Sequence, residues 1–321
     1  MNTSAQAAAG QSPLPASIPD YLEHLRRSLA GADPALIQDA LYDAEEYLRS
    51  ELAENPGMSE AEVIAQVASS YGAPDEVADI YRDTEVKVQR ALSTPTRDKP
   101  RSLLGRFFGV VAEPRTYAAL FYMVLSLATG IFYFTWVVAG VSMSLGLGVL
   151  IIGIPFVILF FGSVRMLSLL EGRIVEVMLG ERMPRRPLYS TRGKSWTARI
   201  GELFSDPRSW TTMLYMLLML PLGVIYFTLV ATLLSVSLAS IVAPIAVVLG
   251  VAEPNVDYDG LVWLGPGTDA VWGTSFGWFS LPLVFVFGVA LLFATLHLAR
   301  GIGYLHGQFA KHLLVKTSQY S

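Results

Sequence analysis

The chain has 321 residues, 53% of them hydrophobic and only 16% charged, with a formal net charge of −4 and a mean hydropathy of +0.46. A soluble domain averages about 25% charged residues, so this composition, with apolar runs longer than any core helix, describes an integral membrane protein. The absence of cysteine excludes disulfides, thiolate nucleophiles, iron–sulfur clusters and Cys-based zinc sites.

Residues 1–18 are rich in Ala, Ser, Gln and Pro. They lack the basic start and apolar stretch of a secretory signal and are expected to form a disordered cytoplasmic tail. From Pro19 the pattern turns helical. Tyr21, Leu22, Leu25 and Leu29 share a face, and Gly31 stops the first helix. Asp33 before Pro34 is an N-cap with proline at the first helical position. The second helix runs to about Glu54 with Leu36, Ile37, Ala40, Leu41, Ala44, Tyr47, Leu48 and Leu52 inward. Ser59 and Glu62 form a capping-box pattern for a third helix carrying Val63, Ile64 and Val67. Gly72 closes that helix, and a fourth follows with Val77, Ile80 and Tyr81 inward, ending near Leu92.

Tyr21-Leu22-Glu23, Asp43-Ala44-Glu45-Glu46-Tyr47, Ser59-Glu60-Ala61-Glu62 and Tyr71-Gly72-Ala73-Pro74-Asp75-Glu76-Val77-Ala78 resemble the HAAS signalling domain. The resemblance implies an all-helical, non-catalytic cytoplasmic domain over 19–92, of a kind associated with PadR-like transcription repressors and often followed by membrane spans. Residues 1–100 hold 8 Lys+Arg and 17 Asp+Glu, a net of −9. Such a surface is either a solvated acidic face or a dock for a basic partner, and direct nucleic-acid binding is not expected.

Residues 93–321 form the membrane part. No charge lies between Arg115 and Arg165, between Arg208 and Glu253, or between Asp269 and Arg300. A span needs about 20 residues. Four are expected, at about 117–140, 145–164, 211–234 and 278–299, with a turn at Ser142–Gly148. The run 240–251 is too short to cross again and, with Pro244 inside it, reads as a kinked extension or an interfacial piece. The fold class is therefore all-α, a small helical domain followed by two repeated transmembrane hairpins.

Residues 113–145 repeat at an offset of 93, with 14 of 33 positions identical. Tyr122-Met123 answers to Tyr215-Met216. Gly130, Tyr133 and Thr135 answer to Gly223, Tyr226 and Thr228. The second helix of each hairpin repeats at an offset of 135, pairing Arg165 with Arg300 and Gly172 with Gly307. Basic segments with aromatics, Arg101–Phe108 and Lys194–Phe204, precede both halves and read as helices in the headgroup layer. The halves start on the same side, so the repeat is parallel. Segment 165–208 holds nine Lys+Arg against five Asp+Glu, whereas the loop at about 252–276 holds four acids and no Lys or Arg. The positive-inside rule then places both termini in the cytoplasm and the acidic loop outside.

The paired Pro-Arg segments, Gly130-x-x-Tyr133-Phe134-Thr135, Gly153-x-Pro155 and the Arg-x6-Gly after each hairpin look like the bacterial "putative sensor" membrane domain over about 100–315. That resemblance implies a sensing role without naming the signal.

No catalytic cluster is visible. The predicted spans hold no Asp, Glu, Lys or Arg, and His-Glu-x-x-His, a phosphate loop and a nucleophile elbow are all absent. His297, His306 and His312 are not spaced as an i, i+4 metal pair and read as interface or packing residues. No enzyme activity, cofactor or metal is expected. The repeated Gly130/Tyr133/Thr135 and Gly223/Tyr226/Thr228 motif reads as helix packing, with glycine for close approach and hydroxyls bonding across, or as a cleft lined by Tyr133 and Tyr226. In the outer loop, Asp257, Tyr258, Asp259, Trp263 and Trp272 are candidates for signal binding, against plain interfacial anchoring by the tryptophans. The expected function is a non-enzymatic sensor in the bacterial inner membrane, relaying an envelope signal to a cytosolic partner such as a PadR-like regulator. A homo-oligomer is compatible with this. The alternative is an accessory subunit of a transport or export complex. The acidic domain is expected to dock on the basic cytoplasmic face, near Arg185 and Arg186, in one state and to leave it in the other.

Overall fold

The structure, a computed structural model, describes residues 14–92, 103–147, 153–186, 201, 205–251, 255–256, 262–263 and 277–315. Its elements in chain order are α1 (Ile18–Ser28), α2 (Pro34–Glu54), α3 (Glu60–Ser70), α4 (Pro74–Leu92), α5 (Leu103–Phe108), a 3-10 turn (Gly109–Ala112), α6 (Pro114–Leu147), α7 (Gly153–Leu179), α8 (Pro207–Val248), β1 (Asn255–Val256), β2 (Val262–Trp263) and α9 (Gly277–Leu314). The chain divides into two compact units. One comprises 1–94, 144–213 and 309–321; the other comprises 95–143 and 214–308.

In the first unit, α1–α4 form a helical domain whose boundaries are set by local chemistry. Ser17 caps α1 through the Asp20 N–H, and Asp33 caps α2 through the Ala35 N–H. Ser59 and Glu62 complete a reciprocal capping box at α3. Gly31 and Gly72, at φ of +82° and +113°, turn the chain between helices where a side chain would be strained. Tyr21, Leu25, Leu29, Ile37, Ala40, Ala44, Leu48, Ile64, Val67 and Val77 close the core. Each large aliphatic side chain buried there contributes about 1.5–3 kcal/mol. The Tyr21 hydroxyl donates to the Gly72 carbonyl at 2.8 Å and ties α1 to the turn before α4.

Two expectations change here. Ser17 caps α1 and Ile18, buried, is its first residue, so these two are not tail. Ile80 is 59% exposed, because the buried stripe of α4 runs through Val77, Ala78, Tyr81 and Glu85, and Ile80 lies off that line.

Among the described residues four helices are long and apolar enough to cross a membrane: Pro114–Leu147, Gly153–Leu179, Pro207–Val248 and Leu281–Leu314. At about 1.5 Å per residue, the 42 residues of α8 extend roughly 60 Å, twice a bilayer core of roughly 30 Å. The helices therefore do not keep to the expected spans. Residues 145–147 complete α6 instead of starting the second span, and that span's helix begins at Gly153. It continues past residue 164 to Leu179, so Arg165, Glu171, Arg173 and Glu176 ride on a membrane helix. Residues 240–248 continue α8 through Pro244.

In the second unit, Gly130 of α6 and Gly223 of α8 permit backbone contact. A Cβ on Gly130 would strike the Met219 carbonyl, and one on Gly223 the Ser126 carbonyl. Both contacts obey the sequence offset of 93, since 126 + 93 = 219 and 130 + 93 = 223. Met123, Val230 and Ala299 form the buried core beside them, with Tyr226 and Ile302 against it. Thr135 and Thr228 are exposed, whereas Gly130, Tyr133 and Gly223 are buried. Positions 130 and 133 are three apart and share a side of the helix, whereas 135 is only two further on and turns outward, and the same spacing holds at 223, 226 and 228.

β1 and β2 pair antiparallel, with Asn255 opposite Trp263. Asp257, Tyr258, Asp259 and Trp272 lie outside the described residues, as does most of the second basic segment, 194–204.

Candidate functional site

Helix α7 ends at Gly180, whose φ of +78° turns the chain out of the helix. This turn places Arg182 in a buried position, 8% exposed, between α7 and the helical domain. Its guanidinium donates to three carboxylates. Nη2 reaches Asp39 of α2 at 3.1 Å, Nε reaches Glu85 of α4 at 3.2 Å, and Nη1 reaches Glu176 of α7 at 3.2 Å. Only arginine presents five N–H donors in a fixed fork suited to this.

The turn is gripped from the same helix by its backbone. Asp39 Oδ1 accepts the Arg185 and Arg186 N–H groups at 2.7 and 2.9 Å. Burial pushes the Asp39 carboxyl above its usual range, and those two N–H groups and Arg182 pull it back. Gln38 donates to the Arg186 carbonyl at 2.6 Å and accepts from Arg208 at 2.9 Å. Arg186 also pairs with Asp43 at 3.2 Å and lies over the Tyr42 ring. Lys311, near the end of α9, pairs with Asp33 at the N-cap of α2. The first turns of α2 thus meet the end of α7, the start of α8 and the end of α9.

The electrostatics explain why the contact is specific. Desolvating several charges costs several kcal/mol per ion, which the pairings offset only when nearly every lone pair finds a donor. The carboxylates of Asp39 and Glu176 meet that condition; Glu85 Oε1 is buried with no hydrogen-bond partner. The arrangement binds one charge pattern and discriminates against others. Arg185 and Arg186 were the expected cations at this face. Arg182, Gln38 and Asp39 were not singled out, although Arg182 follows a helix-ending glycine and Gln38-Asp39 interrupts an otherwise apolar stripe.

A second polar cluster lies in the other unit. His306, 1% exposed, has its Nε2 2.7 Å from the Tyr122 hydroxyl and 3.0 Å from that of Tyr215. Its Nδ1 is 3.2 Å from the Tyr226 hydroxyl. A neutral imidazole donates from one nitrogen and accepts at the other, so the ring joins α6, α8 and α9. Tyr122 and Tyr215 are repeat counterparts at offset 93, which was the signal in the sequence. Tyr133 is buried, while Tyr226 contributes to this cluster instead of lining an open cleft. His297 donates its Nε2–H to the Phe107 carbonyl, 3.1 Å away, and stacks on the Phe107 ring. Among the described residues no group of His, Asp and Glu is placed to hold a metal.

A small helical domain clasped to the ends of long apolar helices is the architecture of a multi-pass membrane protein with an attached helical module. Residues 122–314 match the family described as "Putative sensor", and residues 20–80 match HAAS. The first match spans more than half of the chain, which belongs to that sensor family. No curated protein and no solved structure matches it.

Proposed function

We propose that this protein is a non-enzymatic sensor of the bacterial cytoplasmic membrane whose HAAS domain is its output module. Both termini and the Arg182 turn lie in the cytoplasm, and the acidic loop near 252–276 faces outward. The observation that carries this reading is the Arg182 contact, in which a membrane-helix turn holds Asp39 and Glu85 of the helical domain. A signal that shifts α7 against α8 would move the turn and free the first half of α2. The released acidic face would then be available to a cytosolic partner with a basic surface, in this reading a PadR-like regulator. The attraction of residues 1–100, with their net of −9, for a basic face should weaken with salt.

The test is a tagged pull-down from native membranes, comparing the full chain with one lacking 1–92, read by mass spectrometry. A cytosolic transcription regulator lost on truncation supports the proposal. Membrane subunits retained in both samples, with no cytosolic partner, would replace it with the transport-accessory reading.

A further inference from the structure

Between α7 and the first turn of α8 lies a narrow crevice whose polar lining is Arg165, Ser168, Asp206, Arg208, Ser209 and Thr212. The first N–H groups of a helix have no partner within it, and the end carries partial positive charge. Asp206 caps α8 through the Arg208 N–H at 3.1 Å, and its other oxygen accepts from Arg165 at 3.2 Å. That carboxylate is committed to both, and two guanidinium groups outnumber it. Arg165 is held at the crevice with a third of its side chain exposed.

Ser209 supplies the second observation. It lines the crevice, is 2% exposed, and its hydroxyl has no hydrogen-bond partner. A buried unsatisfied hydroxyl is destabilising, and alanine would fit the same space without it. The neighbouring hydroxyl of Ser168 is already donated to the Arg165 carbonyl at 2.7 Å. The same chemistry recurs in the other half of the sequence. Thr116, 93 positions before Ser209, is fully buried with an unpartnered hydroxyl, three residues after Glu113, which pairs with Arg300. Glu113 and Arg300 are the repeat counterparts of Asp206 and Arg165.

From this geometry we propose that the crevice binds a phosphate group, with one oxygen accepting from Ser209 and the charge balanced by Arg165 and the start of α8. The crevice has a volume of about 20 Å³, room for a single phosphate oxygen and not for a sugar or aromatic ring. The group is the phosphodiester of an anionic phospholipid or free inorganic phosphate. The site stands independently of the docking reading, although Arg208 lies on its wall and also holds Gln38.

The experiment uses the full chain in neutral detergent with three probes: phosphatidylglycerol, phosphatidylcholine and inorganic phosphate. The thermal midpoint and the adducts retained in native mass spectrometry are read for wild type and Ser209→Ala. Without probe, the variant should melt at or above wild type, because it loses only the unpartnered hydroxyl. Phosphatidylglycerol should raise the wild-type midpoint and phosphatidylcholine should not. Ser209→Ala should weaken the bound adduct about tenfold or more, as expected for a lost hydrogen bond to a charged group. An effect of phosphatidylglycerol alone assigns the site to a lipid headgroup, and an equal effect of inorganic phosphate assigns it to the free anion. No shift with either probe, or equal shifts in wild type and Ser209→Ala, overturns the proposal.

Discussion

Arg182 donates to the Asp39 carboxylate, 143 positions earlier in the chain, and neither group is more than 8% exposed. Removing one member of such a buried set leaves uncompensated charge and costs about 3–5 kcal/mol. Arg182→Ala should therefore detach the helical domain without unfolding it, because its core is closed by its own helices. Hydrogen exchange of the full chain should show α2 deprotected near Asp39, with the Val63–Val67 region of α3 unchanged. Loss of protection throughout α1–α4 would show instead that the domain needs the contact to fold.

At Asp39 the two oxygens do different work, one facing backbone N–H groups and the other Arg182. Asp39→Asn keeps an acceptor for the Arg185 and Arg186 N–H groups and loses the charge pairing. It should weaken docking less than Asp39→Ala. The ordering is checked by protease sensitivity of the linker beyond α4, and equal effects would mean that the backbone bonds contribute nothing.

Gly130→Ala and Gly223→Ala should each destabilise the membrane helices by about 1–3 kcal/mol, since a backbone carbonyl stands where the Cβ must go. Gly146→Ala is the control, as nothing lies within 4 Å of its Cβ position. Helicity remaining against a sodium dodecyl sulfate titration would report all three.

His306→Phe keeps the ring but leaves the Tyr122, Tyr215 and Tyr226 hydroxyls without their imidazole partner. At about 0.5–1.5 kcal/mol for each hydrogen bond lost, the thermal midpoint should fall by several degrees. His306→Phe combined with Tyr122→Phe should cost less than the sum of the two single changes, because both remove the same hydrogen bond.

The capping box at α3 gives a pH signature. The Ser59 backbone N–H and hydroxyl hold the Glu62 carboxyl below its usual value of 4.5. A lowered folded-state pKa stabilises above the unfolded value and loses that stabilisation as pH falls through the folded one. Wild type should lose helical-domain stability on acidification from about 4.5 downward, and Glu62→Gln should show a smaller loss over that window. Ser59→Ala should cost about 1 kcal/mol at neutral pH.

Much of this architecture is local and therefore legible. Asp33-Pro34, Ser59 with Glu62, and Gly31 and Gly72 mark helix ends because capping acts within one turn. Four membrane helices follow from charge-free length alone. Their ends do not, since a helix continues beyond the bilayer wherever residues such as Arg173 and Glu176 find partners, and α7 therefore runs on to Leu179.

The sequence by itself determined the class of the protein, the number of long apolar helices and the 93-residue spacing that links Gly130 with Gly223 and Tyr122 with Tyr215. It also showed an acidic helical domain followed by a basic segment. Only the tertiary structure decided that Arg182 is shared by three carboxylates, and that three tyrosines converge on His306. Hydropathy, capping and repeats are read over a few neighbouring residues or a fixed offset. Which guanidinium meets which carboxylate depends on where helices more than a hundred residues apart come to pack, and on which buried charges that packing leaves without water.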